Sequence, residues 1–484
     1  MAGIGFELNK LFNRKSIVGY LGAYTAAAMV FTGPMLLGIV LLFSVRIISA
    51  MSGASLEQQD VIVVIITYAL IGSMLLNNIF STTITRYVAD LLYTDRTKRV
   101  MPSLHGVILL QLVVAVLLYG PFMIISGIGL LYGALGLVLF CELVVVWTLI
   151  SFVSAVKDYV RIIAVFALGV VFAVASALVL VFLTNIDVIA AMLISVYIGY
   201  GVMALGYYDV LRRYFPENEG RPFLFVEYFF LNPQLSIIGL CLSIGMFSHF
   251  VIVWLSPYGK TIAGLLRSAP MYDVPALFAF ISTLMTTINF STTTEVFFYP
   301  VYKNYYNLLN TNGSLQAIEL AEKEMLTVLK RELTYLIFKQ FVVTLLVSTI
   351  GSAILSEAGF AGFNATTRGL FRVLCVGYGI YASANGILMI LFYFANYRDA
   401  LISSLLFAAG TFGFAMYFLL TGANLPFYGF SIAGGAILMY VSALFFLWHY
   451  TRKLQYHIFS KQPLLAVENN GKLYNKLKWL WKDK

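Results

Sequence analysis

Long apolar blocks follow one another along this chain, parted by short polar stretches. A hydrocarbon core ~30 Å thick is crossed by roughly 20 apolar residues in a helix, and blocks of that length recur. They predict helices over 20–48, 61–84, 104–125, 133–154, 163–183, 188–209, 228–254, 273–298, 334–356, 369–394, 400–421 and 429–450. About twelve spans leave both termini on one side of a bilayer. The chain therefore reads as an all-α integral membrane protein.

Two segments differ in pattern. Between 314 and 333, Leu315, Ile318, Met325, Leu326, Leu329 and Leu333 recur at helical spacing, while Glu319, Glu322, Lys323, Lys330 and Arg331 take the remaining positions. This predicts an amphipathic helix in the largest inner loop, either a surface-packed connector or a docking site for a cytosolic partner. From Lys472 to Lys484, Leu473, Leu477, Trp479, Leu480 and Trp481 interleave with five lysines. That is the pattern of an interfacial helix drawn to anionic lipid.

Charge orients the spans, because Lys and Arg collect on the cytoplasmic side. Of the 31 basic residues, only Arg46, Lys260, Arg267, Arg368 and Arg372 fall on the side assigned as outer. The inner side takes Lys10, Arg14 and Lys15, the group Arg86, Arg96, Lys98 and Arg99, and those from Lys303 to Lys339. The prediction is N-in and C-in. The block from Tyr20 to Ile48 exceeds the about 7–15 apolar residues of a cleavable signal, so it is read as a retained first helix. The outer loops are mostly short, which predicts no extracytoplasmic domain.

Composition removes other classes. With 61% hydrophobic and 11% charged residues and a mean hydropathy of +0.89, a soluble globule of 484 residues is excluded. A net charge of +9 does not indicate nucleic acid, since the basic residues form no stripe. Cys141, Cys241 and Cys375 all lie inside apolar blocks and read as small core hydrophobes. No disulfide, metal site or cofactor is expected.

An internal repeat divides the chain. Phe80-Ser81-Thr82-Thr83 ends the second predicted helix and Phe290-Ser291-Thr292-Thr293 ends the eighth. Gly33-Pro34 and Asn232-Pro233 interrupt the first and seventh. This predicts two parallel six-helix lobes, 1–226 and 227–450, followed by a basic aromatic tail, 451–484. Transporters are often built from such repeated halves.

Enzyme motifs are missing: there is no phosphate-binding G-x-x-x-x-G-K-[ST] loop and no Asp-x-Asp pair. His105, His249, His449 and His457 are scattered, without metal-ligand spacing. What remains is polar residues inside apolar helices, which usually face a bundle interior or a wet cavity. Glu142, in the middle of Leu137–Val146, is the foremost. A carboxyl at that depth either pairs with a cation or takes a proton, and either response can couple transport to an ion gradient. It can also hydrogen-bond a neighbouring helix as a neutral acid. Asn77, Asn78, Asn289 and Asn385 are further candidates for the substrate pathway; amides bind sugar hydroxyls and equally tie helices together. Arg368 and Arg372, one turn apart, and Arg46 are candidates for an outer mouth or for interfacial anchors. Tyr24, Tyr68, Trp147, Tyr197 and Tyr200 lie deeper than an interfacial belt requires, where rings can pack or stack on sugars.

The opening Met1-Ala2-Gly3-Ile4-Gly5-Phe6-Glu7-Leu8, followed by basic residues and the Gly33-Pro34 helix, resembles the PelG family, inner-membrane transporters of Pel exopolysaccharide systems. Thr85-Arg86-Tyr87-Val88-Ala89-Asp90, Ser256-Pro257-Tyr258-Gly259, Met271-Tyr272-Asp273 with Pro275, and Thr294-Glu295-Val296-Phe297-Phe298-Tyr299 are similar to elements of the same family. The resemblance implies the fold of the multidrug, oligosaccharidyl-lipid and polysaccharide exporters: twelve helices in two lobes around a central cavity. It implies passage of an N-acetylgalactosamine-rich polymer across a bacterial inner membrane for the biofilm matrix. The implied partners are a PelF-like cytosolic glycosyltransferase and PelD- and PelE-like membrane scaffolds. Glu295 joins the pathway candidates, and Arg86 with Asp90 is read as a lobe-end gate or as an i, i+4 ion pair. The leading expectation is a polysaccharide conduit that is not an enzyme. A cation-coupled small-molecule antiporter with Glu142 as its ion site, and an integral-membrane polymerase or ligase, are the alternatives.

Overall fold

The structure is a computed structural model that describes residues 40–460 except 155, 157, 158, 312 and 358–364. The Met1–Leu8 octet, Gly33-Pro34, Tyr24, most of the first predicted span and the Lys472–Lys484 tail lie outside the described residues. The described residues are almost entirely helical. In order, its main helices are α1 Val40–Met51, α2 Leu56–Tyr93, α3 Val100–Ile125, α4 Leu130–Val153, α5 Tyr159–Leu183 and α6 Val188–Tyr214. There follow α7 Pro233–Leu255, α8 Pro270–Thr293, α9 Tyr299–Asn310, α10 Leu315–Leu346, α11 Ala365–Tyr393, α12 Tyr397–Leu420 and α13 Leu425–Thr451. Among the described residues, ten helices are long and apolar enough to cross a membrane. The chain is thus an all-α, multi-pass membrane protein.

Helix starts follow local chemistry. Ser55 and Gln58 form a capping box on α2: the Ser55 hydroxyl accepts from the Gln58 N–H at 3.2 Å, and the Gln58 side chain accepts from the Ser55 N–H at 3.0 Å. Asp187 caps α6 by accepting from the N–H groups of Ile189 and Ala190. Ser314 caps α10 through the Ala317 N–H at 3.3 Å. Asn232-Pro233 separates a short helix, Val226–Leu231, from α7, since proline cannot supply the N–H that continuation would need.

The amphipathic segment 314–333 is not a separate loop helix. It is the first half of α10, which runs on through 334–346 and a π-helical turn at Val347–Gly351. Leu315–Ser356 is one helix of 42 residues. That is about 60 Å at ~1.5 Å per residue, about twice a hydrocarbon core. Its buried side carries Ala321, Met325, Leu329 and Glu332, whereas Leu315 is exposed. The eighth predicted span is also longer: α8 passes through a π-helical turn, Thr294–Phe298, into α9. The large inner loop therefore shrinks to the few residues between Asn310 and Leu315.

Contacts group the chain into two units. Among the described residues the first comprises 40–247 and 254–269, and the second comprises 248–253 and 270–460. In the first, α7 is laced to α2. Asn78 Nδ2 donates to Ser243 Oγ at 2.8 Å, and the Thr83 and Ser236 hydroxyls meet at 3.0 Å. Gly239 lets these helices close: a Cβ there would lie 1.9 Å from the Asn78 carbonyl oxygen. Small residues are how membrane helices reach such backbone contact.

The segment after α7 forms a β-hairpin, β1 Lys260–Ala263 with β2 Leu266–Ser268. It is bound to the first unit. The Tyr68 hydroxyl donates to the Arg267 carbonyl at 3.1 Å and accepts from the Arg267 N–H at 3.2 Å. The Tyr68 ring stacks on Trp254 at 4.8 Å, and the Leu265 N–H donates to the Ser126 carbonyl at 2.9 Å.

Candidate functional site

Each unit buries polar side chains at mid-helix depth. In the first unit, Glu142 sits halfway along α4 and is half-buried. Its Oε1 faces the backbone of α6 at Gly201, where a Cβ would come within 3.0 Å of it. Its Oε2 is buried without a hydrogen-bond partner. A row of polar groups on the helices packed around α4 continues this interior. Trp147 donates its indole N–H to Ser73 at 3.1 Å, and one turn along α2 the buried Asn77 leaves its Oδ1 without a partner. The Thr148 hydroxyl donates to Oε1 of the fully buried Gln111, whose Nε2 has no partner. Buried polar groups in proteins are nearly always hydrogen-bonded, so these unpartnered atoms stand out in the interior of the first unit.

The second unit has a counterpart built from different residues. Gln340 of α10 accepts from the Thr286 hydroxyl of α8 and donates to Thr344 Oγ at 3.0 Å. Asn289, one turn beyond Thr286, is buried. Asn385 of α11 has a buried Oδ1 without a partner. His249 of α7 is fully buried, with Tyr272 of α8 at 2.8 Å from Nδ1 and Tyr378 of α11 at 3.4 Å from Nε2. Glu295 lies in the π-helical turn, and its side chain is outside the described residues.

The charged candidates sit toward helix ends. Arg86 Nε and Asp90 Oδ1 are 3.3 Å apart, an i, i+4 pair, and the Tyr228 hydroxyl donates to Asp90 Oδ2 at 3.3 Å. Exposed pairs of this kind contribute about 0.3–0.5 kcal/mol. Arg46, Arg368 and Arg372 are all exposed, and Arg372 Nη2 donates to Ser352 Oγ at 3.3 Å. The sequence candidates are thus divided: Arg46, Asn77, Asn78, Arg86, Asp90 and Glu142 belong to the first unit, and Asn289, Glu295, Arg368, Arg372 and Asn385 to the second. Gln111, Gln340 and His249 were not among them. The signal was available, since each interrupts an apolar run as Glu142 does.

The chain is a polytopic helical membrane protein with a carboxyl and amides buried along its helices. The fold agrees with solved structures of that class. A eukaryotic MATE transporter, AtDTX14, superposes with a TM-score of 0.61 at 12% identity, covering 90% of this chain and 99% of that one. A MOP superfamily transporter from Pyrococcus furiosus, described as having a binding pocket of reverse polarity, gives 0.58 at 12% identity over 89% and 96%. An outward-facing multidrug resistance MATE transporter gives 0.52 at 14% identity over 89% and 96%. Residues 1–459 match the model of the family described as "PelG: Putative exopolysaccharide Exporter (EPS-E)", and the chain belongs to that family. No curated protein matches the chain. The family is described as one of exporters, and the fold is that of MOP superfamily transporters.

Proposed function

We propose that this protein carries a nascent, N-acetylgalactosamine-rich exopolysaccharide across the bacterial inner membrane, as part of biofilm matrix export. The family match over residues 1–459 is the observation that carries this reading. The buried amides and carboxyl support it. Asn77, Asn385, Gln111 and Glu142 hold unused hydrogen-bonding capacity at membrane depth, the chemistry that binds sugar hydroxyls. Conduction needs contacts favourable enough to admit the chain and weak enough to release it, which neutral amides provide better than paired charges. A PelF-like glycosyltransferase on the cytosolic face would supply the polymer, with PelD- and PelE-like scaffolds beside it. The charged first half of α10, with Glu319, Glu322, Lys323 and Lys330, offers those partners a surface.

The test uses inside-out membrane vesicles given UDP-N-acetylgalactosamine and the cognate glycosyltransferase. Polymer that becomes protected from added glycosidase only when this protein is present is the expected result. Polymer equally exposed with and without the protein would sink the reading. A second reading, a cation-coupled antiporter of small molecules, is favoured by one observation: the Glu142 carboxyl, whose Oε1 faces Gly201 and whose Oε2 is unpartnered. Sodium- or proton-dependent efflux of lipophilic cations, lost in Glu142→Gln, would move it to first place.

A further inference from the structure

We propose that His249 is a proton-binding site, built so that one hydroxyl rotation accommodates the added proton. His249 is 0% exposed, and its ring is held between tyrosines of α8 and α11. Tyr272 Oη lies 2.8 Å from Nδ1 and Tyr378 Oη lies 3.4 Å from Nε2. The Tyr272 hydroxyl has a second acceptor, the Tyr428 backbone carbonyl of α13, at 3.4 Å. It carries one hydrogen and therefore has two places to send it.

This arrangement serves both charge states. In the neutral ring, Tyr272 donates to Nδ1 and the ring donates Nε2–H to Tyr378. When a proton from water adds to the Nδ1 lone pair, the imidazolium becomes a donor at both nitrogens. Tyr272 then accepts from Nδ1–H and turns its own hydrogen to the Tyr428 carbonyl. Both ring nitrogens keep a partner in either state, and the Tyr272 hydrogen keeps an acceptor; an unpaired polar group in a membrane interior is costly.

The groups facing the ring suit a cation. On α8, Asp273 acts electrostatically on both the Tyr272 and Tyr378 phenols. On α11 Cys375 acts on the Tyr378 phenol, and on α13 Ser431 and the Tyr428 carbonyl are partners of the Tyr272 hydroxyl. On α7 itself Phe250 stacks on the imidazole at 4.4 Å, a ring face that favours a cation. The ring thus sits between two phenol oxygens and against the face of Phe250, with Asp273 acting on both phenols. The inference is independent of which substrate the protein carries.

The experiment is 15N-histidine NMR of the full chain in lipid nanodiscs, titrated between about pH 5 and 8, the window in which an ordinary imidazole charges. The signal missing in His249→Gln assigns the residue. The expected result is reversible conversion of that signal from a neutral tautomer to the imidazolium. Tyr272→Phe removes the acceptor of the charged form and should weaken proton affinity about tenfold, the effect of one charge-assisted hydrogen bond. A signal that stays neutral throughout, or a titration unmoved by Tyr272→Phe, would overturn the proposal. Failure of the polymer-protection assay leaves this measurement unaffected, so the two ideas fail separately.

Discussion

The carboxyl of Glu142 rests against the backbone of Gly201, so near that any β-carbon at residue 201 would fall within 3.0 Å of Oε1. The glycine makes the room in which a mid-membrane carboxyl sits beside the neighbouring helix. Gly201→Ala should fold, because the crowding atom is the end of a flexible side chain. It should displace the carboxyl and lower the polymer-protection rate in vesicles. Glu142→Leu, which removes the hydrogen-bonding carboxyl, should lower it by up to about tenfold, the loss of one hydrogen bond to the polymer. Undiminished protection in both variants would take Glu142 out of the transport path.

Gly239 under the Asn78 carbonyl is a site of packing rather than of transport. Gly239→Ala meets backbone at 1.9 Å and must force α7 from α2. Overpacking of this kind costs about 1–3 kcal/mol. A lower thermal unfolding midpoint in detergent is the expected readout. Gly413 of α12 has nothing within 4 Å of a built β-carbon, so Gly413→Ala should be neutral or stabilising by up to about 1 kcal/mol.

Thr148→Val leaves the buried Gln111 carbonyl without its donor. In a membrane protein the expected cost is about 1 kcal/mol. Adding Gln111→Leu removes the stranded amide altogether and should recover much of that loss, since two apolar partners leave nothing unsatisfied. A double-mutant cycle on unfolding midpoints checks it. Strictly additive losses would contradict the pairing.

Continuity of α10 is open to a distance measurement. Leu315 and Leu345 are both exposed, and spin labels there should lie about 45 Å apart if the helix is unbroken, at ~1.5 Å per residue. A helix that turned off near Leu333 would give a markedly shorter distance.

Hydrophobic periodicity alone located nearly every described helix, because a bilayer demands long apolar runs and leaves the backbone no alternative to helix. The rarity of charge and amide inside those runs picked out Glu142, Asn77 and Asn385 by the same logic. It stopped short where the rule was blurred. At 314–333 the charged residues suggested a surface helix, but charges do not end a helix, and only the tertiary structure joins that segment to 334–346 as α10. Packing beyond the local run also decided what each polar group touches. Nothing in the spacing of His249, Tyr272, Tyr378 and Tyr428 brings them together; α7, α8, α11 and α13 do so by packing. The sequence by itself thus determined that this is a helical membrane protein and which residues are costly to bury, since transfer energies are properties of single side chains. Tertiary structure decided which of those residues find partners, since hydrogen bonding depends on distances that only packed helices set.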